Sequence, residues 1–262
     1  MPRTRRHAYI QPMTIEVHGP AAAQLSGFYA SAGGAVAARL LRERLGRLWP
    51  LLPGLSVMGL GHAAPYLDLW LREARRCVAV TPAHHGAPRD RPPHWPPSPA
   101  GSQTLIAEED ALPFPDRSFD RLLLVHGLEA AEHARRLLRE AWRVLADDGR
   151  LIAVVPNRTG LWAHLDRTPF GHGQPYSGGQ LERLLARQMF RPLRRESALF
   201  VPPYGLRFLH PMARPWEATG RALFPALAGV VLLEAEKDLF AAAPAGAVAV
   251  RRRVVVPVPG SG

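Results

Sequence analysis

A chain of 262 residues with 47% hydrophobic and 21% charged residues can bury a sizeable core, and its composition is not that of a disordered protein. Its single cysteine, Cys77, excludes an intrachain disulfide framework and a thiolate cluster for zinc or iron–sulfur, so a reducing, cytoplasmic setting is expected. The net charge of +11 is carried by arginine, with Lys237 the one lysine; the arginines are scattered apart from the run Arg251 to Arg253, so a nucleic-acid partner is allowed but not favoured.

Residues 1–20 read as a basic, irregular leader in which Met13 offers an alternative start. The uncharged stretch Gly19 to Ala38 lacks a leucine-rich centre and is read as amphipathic helix, not as a signal or membrane segment. Phe28, Val36, Leu40, Leu41, Leu45 and Leu48 recur at helical spacing, which predicts two helices in series over 21–50, broken at Gly33-Gly34. Leu55 to Met58 is an apolar run ending in Gly59-Leu60-Gly61. A helix with Leu67, Trp70, Leu71 and Ala74 on one face follows, with Pro65 in its first turn. Strand, glycine turn and helix open a βαβ unit.

Cys77 to Val80 is a second strand. Pro82 to Gln103 holds seven prolines in 22 residues and is read as a loop that Trp95 pins down. Thr104 to Ala107, Arg121 to Val125 and Arg150 to Val155 are strands three to five. Between the last two, Leu137, Leu138, Ala141 and Leu145 line a helix expected to close at Asp147-Asp148-Gly149, with the glycine in a left-handed C-terminal turn. Past Asn157 the chain is irregular to Pro175. Ser177 and Gln180 form a capping box for a helix with Leu181, Leu184, Leu185 and Met189 inward. Ala198 to Val201 is read as a sixth strand, Trp216 to Leu223 as a helix, and Val230 to Glu234 as the seventh strand; the tail alternates weakly from Val248 to Pro259. The expected fold is α/β: a Rossmann-like, doubly wound, mostly parallel seven-stranded sheet with helices on both faces. One domain spans 21–240, divided into N-terminal helices 21–50, a core 51–157 and a region 158–240, with a basic, proline-containing tail over 241–262.

The run Asp110-Ala-Leu-Pro-Phe-Pro-Asp-Arg-Ser-Phe-Asp120, then an apolar strand, His126-Gly-Leu-Glu129, Leu138-Arg-Glu140 through Arg143-Val-Leu145, and Gly149-Arg-Leu-Ile152 resembles the class I methyltransferases of the broad type 11 group. The segments Gly59-Leu-Gly-His-Ala-Ala-Pro-Tyr-Leu67 and Thr168-Pro-Phe-Gly-His-Gly173 resemble an uncharacterised bacterial branch of that group. The resemblance implies S-adenosylmethionine (SAM) as cofactor. It places Gly59, Leu60, Gly61 and Ala63 at the glycine turn, Thr81 at the ribose end, and Asp110, Ala111 and Leu112 at the adenine end. His126, at the end of strand four, would line the pocket. It implies methyl transfer to an unidentified acceptor, a small molecule or lipid, and no catalytic residue is nominated.

The sequence also departs from that family's pattern. Val57 stands where an acid precedes the first turn glycine, Ala63 where a third glycine is usual, and Thr81 where a carboxylate accepts from the ribose hydroxyls. These departures motivate an alternative in which the fold is retained as a binding or regulatory module without catalysis. A nicotinamide-dependent oxidoreductase is a weaker alternative, because it needs the same missing acid and glycine. Glu129 and Glu140 are read as helix-surface or packing residues, and Cys77 as a small buried hydrophobe. No metal is expected at His84-His85, which has no carboxylate or cysteine at ligand spacing. Pro202-Pro203-Tyr204 lies too far past strand four to serve as an amino-methylation motif.

Overall fold

The computed structural model of the chain describes residues 20–85, 103–164, 168–202 and 213–240. Residues 1–19 of the leader, residues 86–102 of the proline-rich loop with Trp95, Tyr204 and the C-terminal tail lie outside these; Pro82 and Gln103, read as the ends of that loop, are strand residues, and Ala83–His85 is a single 3-10 turn.

Seven strands form one sheet in the order β3-β2-β1-β4-β5-β7-β6. They are β1 Ser56–Gly61, β2 Arg76–Pro82, β3 Gln103–Ala107, β4 Phe119–Val125, β5 Leu145–Pro156, β6 Phe190–Ala198 and β7 Val230–Lys237. The first five run parallel, while β7 is antiparallel to both β5 and β6. Short apolar strands linked by helical crossovers give this arrangement because both faces of a parallel sheet must be covered.

Strand alternation sorts the core into two layers. Val57, Cys77, Ala79, Leu123, Val125, Ile152, Val154, Val230 and Leu232 face α1 (Pro20–Ala30), α2 (Ala32–Leu48) and α3 (Ala64–Leu67). Met58, Leu60, Val78, Val80, Leu122, Leu124, Leu151, Ala153, Val155 and Leu233 face α4 (Ala134–Val144) and α5 (Gly178–Arg187). A last helix, α6, spans Ala213–Leu223. Among the described residues no helix is long and apolar enough to cross a membrane.

Several boundaries differ from the sequence reading, each for a local reason. The N-terminal helices break at Ser31, not at Gly33-Gly34, because the Ser31 side chain caps α2 by accepting from Gly34 N. Gly34 serves the helix–helix approach instead, since a Cβ there would lie 2.0 Å from Phe28 O. The helix after β1 is a single turn, and the rest of that segment is a series of turns held by bonds such as Trp70 Nε1 to Trp49 O at 2.8 Å. Tyr66, Leu67, Trp70 and Ala74 are nonetheless buried.

Helix α4 passes directly into β5 at Leu145, which is extended. Gly149 therefore sits inside β5, near the register shift between Phe119 and Arg121, and not in a left-handed turn. The sixth strand is Phe190–Ala198 and not 198–201. Its pattern was hidden because it is an edge strand, where Arg191, Pro192, Arg194, Arg195 and Glu196 discourage pairing with another chain. The capping box at Ser177 and Gln180 is present in full. Helix α5 ends at Arg187, so Met189, at φ 60°, is outside its apolar stripe.

The sole lysine is structural. Lys237 Nζ donates to Leu145 O at 2.8 Å and lies 4.0 Å from the centre of the Trp142 ring, and burial pulls its pKa below the ordinary lysine value.

Candidate functional site

In an open parallel sheet, the strand order reverses at one point, and the carboxyl ends of the strands there diverge into a crevice. Here that point lies between β1 and β4. The residues that enter it are Gly61 and His62 from β1, and Val125, His126 and Gly127 from β4.

Gly61 has φ +84°, and a Cβ on it would fall 2.3 Å from Val125 O and 2.9 Å from Gly127 N. His62 N donates to Val125 O at 2.6 Å. Gly59 is equally confined, because its Cβ would meet the Ala63 Cβ at 2.7 Å and Leu67 Cδ1 at 2.9 Å. The glycines are thus required by contacts of the protein with itself. Leu60 and Ala63 are completely buried, so Leu60 reaches the site only through its backbone.

A polar chain runs across the crevice from α1. The Tyr29 ring stacks on His62, with centroids 4.6 Å apart and planes 16° from parallel. Its hydroxyl lies 2.8 Å from His126 Nε2, and His126 Nδ1 lies 2.8 Å from Glu129 Oε1. His126 adopts φ 51°, an uncommon value for a residue with a side chain, and both His126 and Glu129 are buried. The Phe170 ring packs at 4.8 Å from the imidazole, and Phe28 and Trp162 pack edge-on against Phe170. Burial first, then the neighbouring Tyr66, pushes the Tyr29 phenol pKa well above its ordinary value. It therefore stays protonated across the physiological range.

The carboxyl ends of β2 and β3 are different in character. Thr81 is half-buried near the end of β2, opposite Ile106. Immediately past β3, Glu108 is exposed, whereas Glu109 is buried, accepts from His133 N at 3.3 Å and lies 3.6 Å from His84 Nδ1. Burial raises the Glu109 pKa. Asp110 is exposed and paired with Arg136 at 3.4 Å. The Ala111 N–H donates to Glu108 O at 3.3 Å and the Leu112 N–H to Glu140 Oε2 at 2.9 Å. Arg143 clamps the same loop through Leu112 O, Phe114 O and Asp116, and its guanidinium holds the Glu140 carboxyl below the usual range.

The structure thus brings Gly61 and His126 together in one crevice, while Gly59 and Ala63 are packed against each other behind the turn, Thr81 lies near the end of β2, and Asp110, Ala111 and Leu112 lie in the loop after β3. Sequence reasoning missed Tyr29 and His62, and it read Glu129 as a helix-surface or helix-packing residue, whereas Glu129 is buried past β4 against His126. The spacing of His126 and Glu129 was a signal for the last. Nothing in the sequence pointed to Tyr29. Among the described residues no group of three or more His, Cys, Asp or Glu could hold a metal ion.

Residues 57–153 match the family model described as a methyltransferase domain. Over this segment the chain is similar to methyltransferase domains. The chain is 34% identical over 101 residues to an uncharacterised protein of Mycobacterium tuberculosis, an alignment covering 36% of this chain and 35% of that protein. It is 28% identical to a demethylmenaquinone methyltransferase of Thermus thermophilus, over 54% of this chain and 53% of that one. It therefore spans about a third to a half of the length of these relatives. A solved SAM-dependent methyltransferase from Thermotoga maritima shares the fold with a TM-score of 0.58 at 17% identity, covering 82% of this chain and 95% of that one.

SAM is the cofactor expected of such a methyltransferase domain, and the residues present suit it in kind. An exposed carboxylate past β3 and a hydroxyl near the end of β2 are acceptors for a nucleoside, and the buried Glu129 carboxylate, with Oε2 unpartnered, lies near the crevice between β1 and β4. Thr81, near the end of β2, offers a neutral hydroxyl and not a carboxylate.

Proposed function

We propose that this methyltransferase domain transfers a methyl group from SAM to a small-molecule acceptor. The observation that carries the reading is that the crevice between β1 and β4 falls within the segment that matches the family, residues 57–153. In this reading the turn Gly59, Leu60, Gly61 and Ala63 underlies the cofactor, Thr81 serves the ribose, and Glu108 joins Asp110, Ala111 and Leu112 around the adenine. His126 stands at the reacting end. The name of the Thermus thermophilus relative supports a small-molecule acceptor.

SAM brings a methyl group already activated by its sulfonium, so the chain's task is to align the acceptor and exclude water. Tyr29, Phe170, Phe28 and Trp162 are placed for the second of these, since they form an aromatic wall over His126. A second reading, the fold kept as a binding module without turnover, is favoured by Thr81 and by the packing of Tyr29 across the crevice. Calorimetric titration with SAM and S-adenosylhomocysteine, with NAD as control, separates the two. Micromolar binding followed by methyl transfer in an acceptor screen supports the enzyme. Absence of heat and of a thermal shift at millimolar ligand refutes it.

A further inference from the structure

Beyond β5 the chain returns to the carboxyl edge of the sheet and leaves a groove against α4. Two hollows of about 400 and 520 Å³ adjoin there, and Gln174 and Tyr176 line both. Each volume falls within the roughly 300–1,000 Å³ of small-molecule sites. The first hollow takes in Arg158, and the second takes in Arg135, Arg136 and Arg139 of α4. Gly173 lines the first hollow and also the cavity beside His126, so the groove adjoins the crevice. Its wall is pinned by backbone bonds: Gln174 N donates to Glu129 O at 2.9 Å, Tyr176 N to Pro156 O at 3.1 Å, and Arg158 N to Tyr176 O at 3.1 Å.

The lining carries four arginines and no Asp or Glu. Arg136 is paired with Asp110, but Arg135, Arg139 and Arg158 are exposed and have no ion pair among the described residues. Elsewhere on the surface arginines are matched, as Arg42 is by Asp68, Arg117 by Asp147, Arg191 by Glu236 and Arg195 by Glu182. Helix stability does not account for the unmatched ones. Arg135 and Arg136 stand in the first turn of α4, where a cation opposes the helix dipole and no acid balances it. Arg135 and Arg139, four residues apart, share a face of the helix and repel each other. Burial raises the Tyr176 phenol pKa, so that residue adds no negative charge to the groove.

We propose that this groove binds the phosphate end of a small-molecule ligand, and that this ligand is the methyl acceptor, its other end reaching the crevice. Several guanidinium forks from two sides suit a phosphate, whose oxygens accept from more than one fork at once, better than a single carboxylate. A polynucleotide is disfavoured, because Asp110, bonded to Arg136, and the exposed Glu132 stand beside the groove and would repel the flanking phosphates of a strand. Naming the ligand as acceptor rests on the methyltransferase reading; the anion groove does not.

The test titrates the full chain with pyrophosphate by calorimetry and thermal melting, at an ionic strength held constant with chloride, in the wild type, Arg139→Gln, Arg158→Gln and Arg47→Gln. Arg47 is exposed on α2, outside the groove, and its substitution removes the same charge. Pyrophosphate is expected to bind and stabilise the wild type, each groove substitution to weaken it at least about tenfold, and Arg47→Gln to leave it unchanged. Equal losses in all three variants, or no response beyond that to chloride, overturn the groove. If one groove variant does not fold, the other, set against Arg47→Gln, decides. A single-stranded oligonucleotide that binds more than about tenfold tighter than pyrophosphate overturns the small-molecule assignment. Pyrophosphate binding to the S-adenosylhomocysteine-loaded protein supports the acceptor assignment, whereas its displacement by S-adenosylhomocysteine overturns it. Pyrophosphate binding that depends on Arg139 and Arg158, in a protein that does not bind S-adenosylhomocysteine at all, supports the anion groove while removing the methyltransferase reading.

Discussion

The two sides of the crevice are held in different ways. On the β1–β4 side the chain closes on itself: Gly61 lies against the Val125 carbonyl, Gly59 against Ala63 and Leu67, and Tyr29 bridges His62 to His126. On the β2–β3 side Thr81 is half-buried and Glu108 and Asp110 are exposed, so these side chains have little packing to keep them. The difference teaches that a glycine motif and a ligand-facing acid are not equivalent signs of a cofactor. Packing by itself accounts for Gly59 and Gly61, whereas an acid at position 81 would answer to ligand chemistry, and here position 81 is a threonine.

The largest expected effect tests the packed side. Gly61→Ala adds a Cβ where the Val125 oxygen already lies and forces a side chain into positive φ, which together cost about 3–5 kcal/mol. Chemical denaturation should show that loss with or without SAM. A variant of wild-type stability that merely loses SAM would erase the distinction between the two sides.

On the open side Thr81→Asp should do the reverse. A carboxylate accepting from a diol gains roughly 1.5–3 kcal/mol over a neutral hydroxyl, or about 10- to 150-fold in SAM affinity, with little change in stability. Calorimetry reads this directly, and unchanged affinity would show that Thr81 does not face the ribose. Tyr29→Phe should cost about 1–2 kcal/mol in denaturation, because it leaves His126 Nε2 without its partner in a buried setting. No loss would mean that the bridge across the crevice holds nothing.

The smallest effect is a slope. Burial raises the Glu109 pKa, so its protonated form is favoured on folding. Its contribution to stability is complete below the ordinary carboxylate range and is lost as pH rises through the raised value. Glu109→Gln should flatten that decline in denaturation midpoints measured across weakly acid pH. An unaltered slope would assign the titration to another group.

The same contrast explains what was legible before the structure. Strands β1, β2, β4 and β7 and the second half of β5 are apolar runs, and their pattern follows from burial on both faces of the sheet. Strand β6 was misplaced because an edge position replaces apolar residues with arginine and proline. The break between α1 and α2 went to the wrong residues because Gly34 answers to α1 across a close contact, which no local rule registers.

What the sequence determined by itself was the parallel core, the glycine turn after β1 and the identity of the methyltransferase segment, because each is written in residues adjacent along the chain. Tertiary structure decided the rest of the site. Tyr29, His62, His126, Glu129 and Phe170 come from α1, the ends of β1 and β4 and a loop beyond β5, and their contacts exist only once the sheet has brought those segments to one edge. Periodicity specifies which face of an element is buried. It does not specify which buried polar group meets which, and that pairing is set by the three-dimensional crossing of distant segments, as with Tyr29 and His126, 97 residues apart.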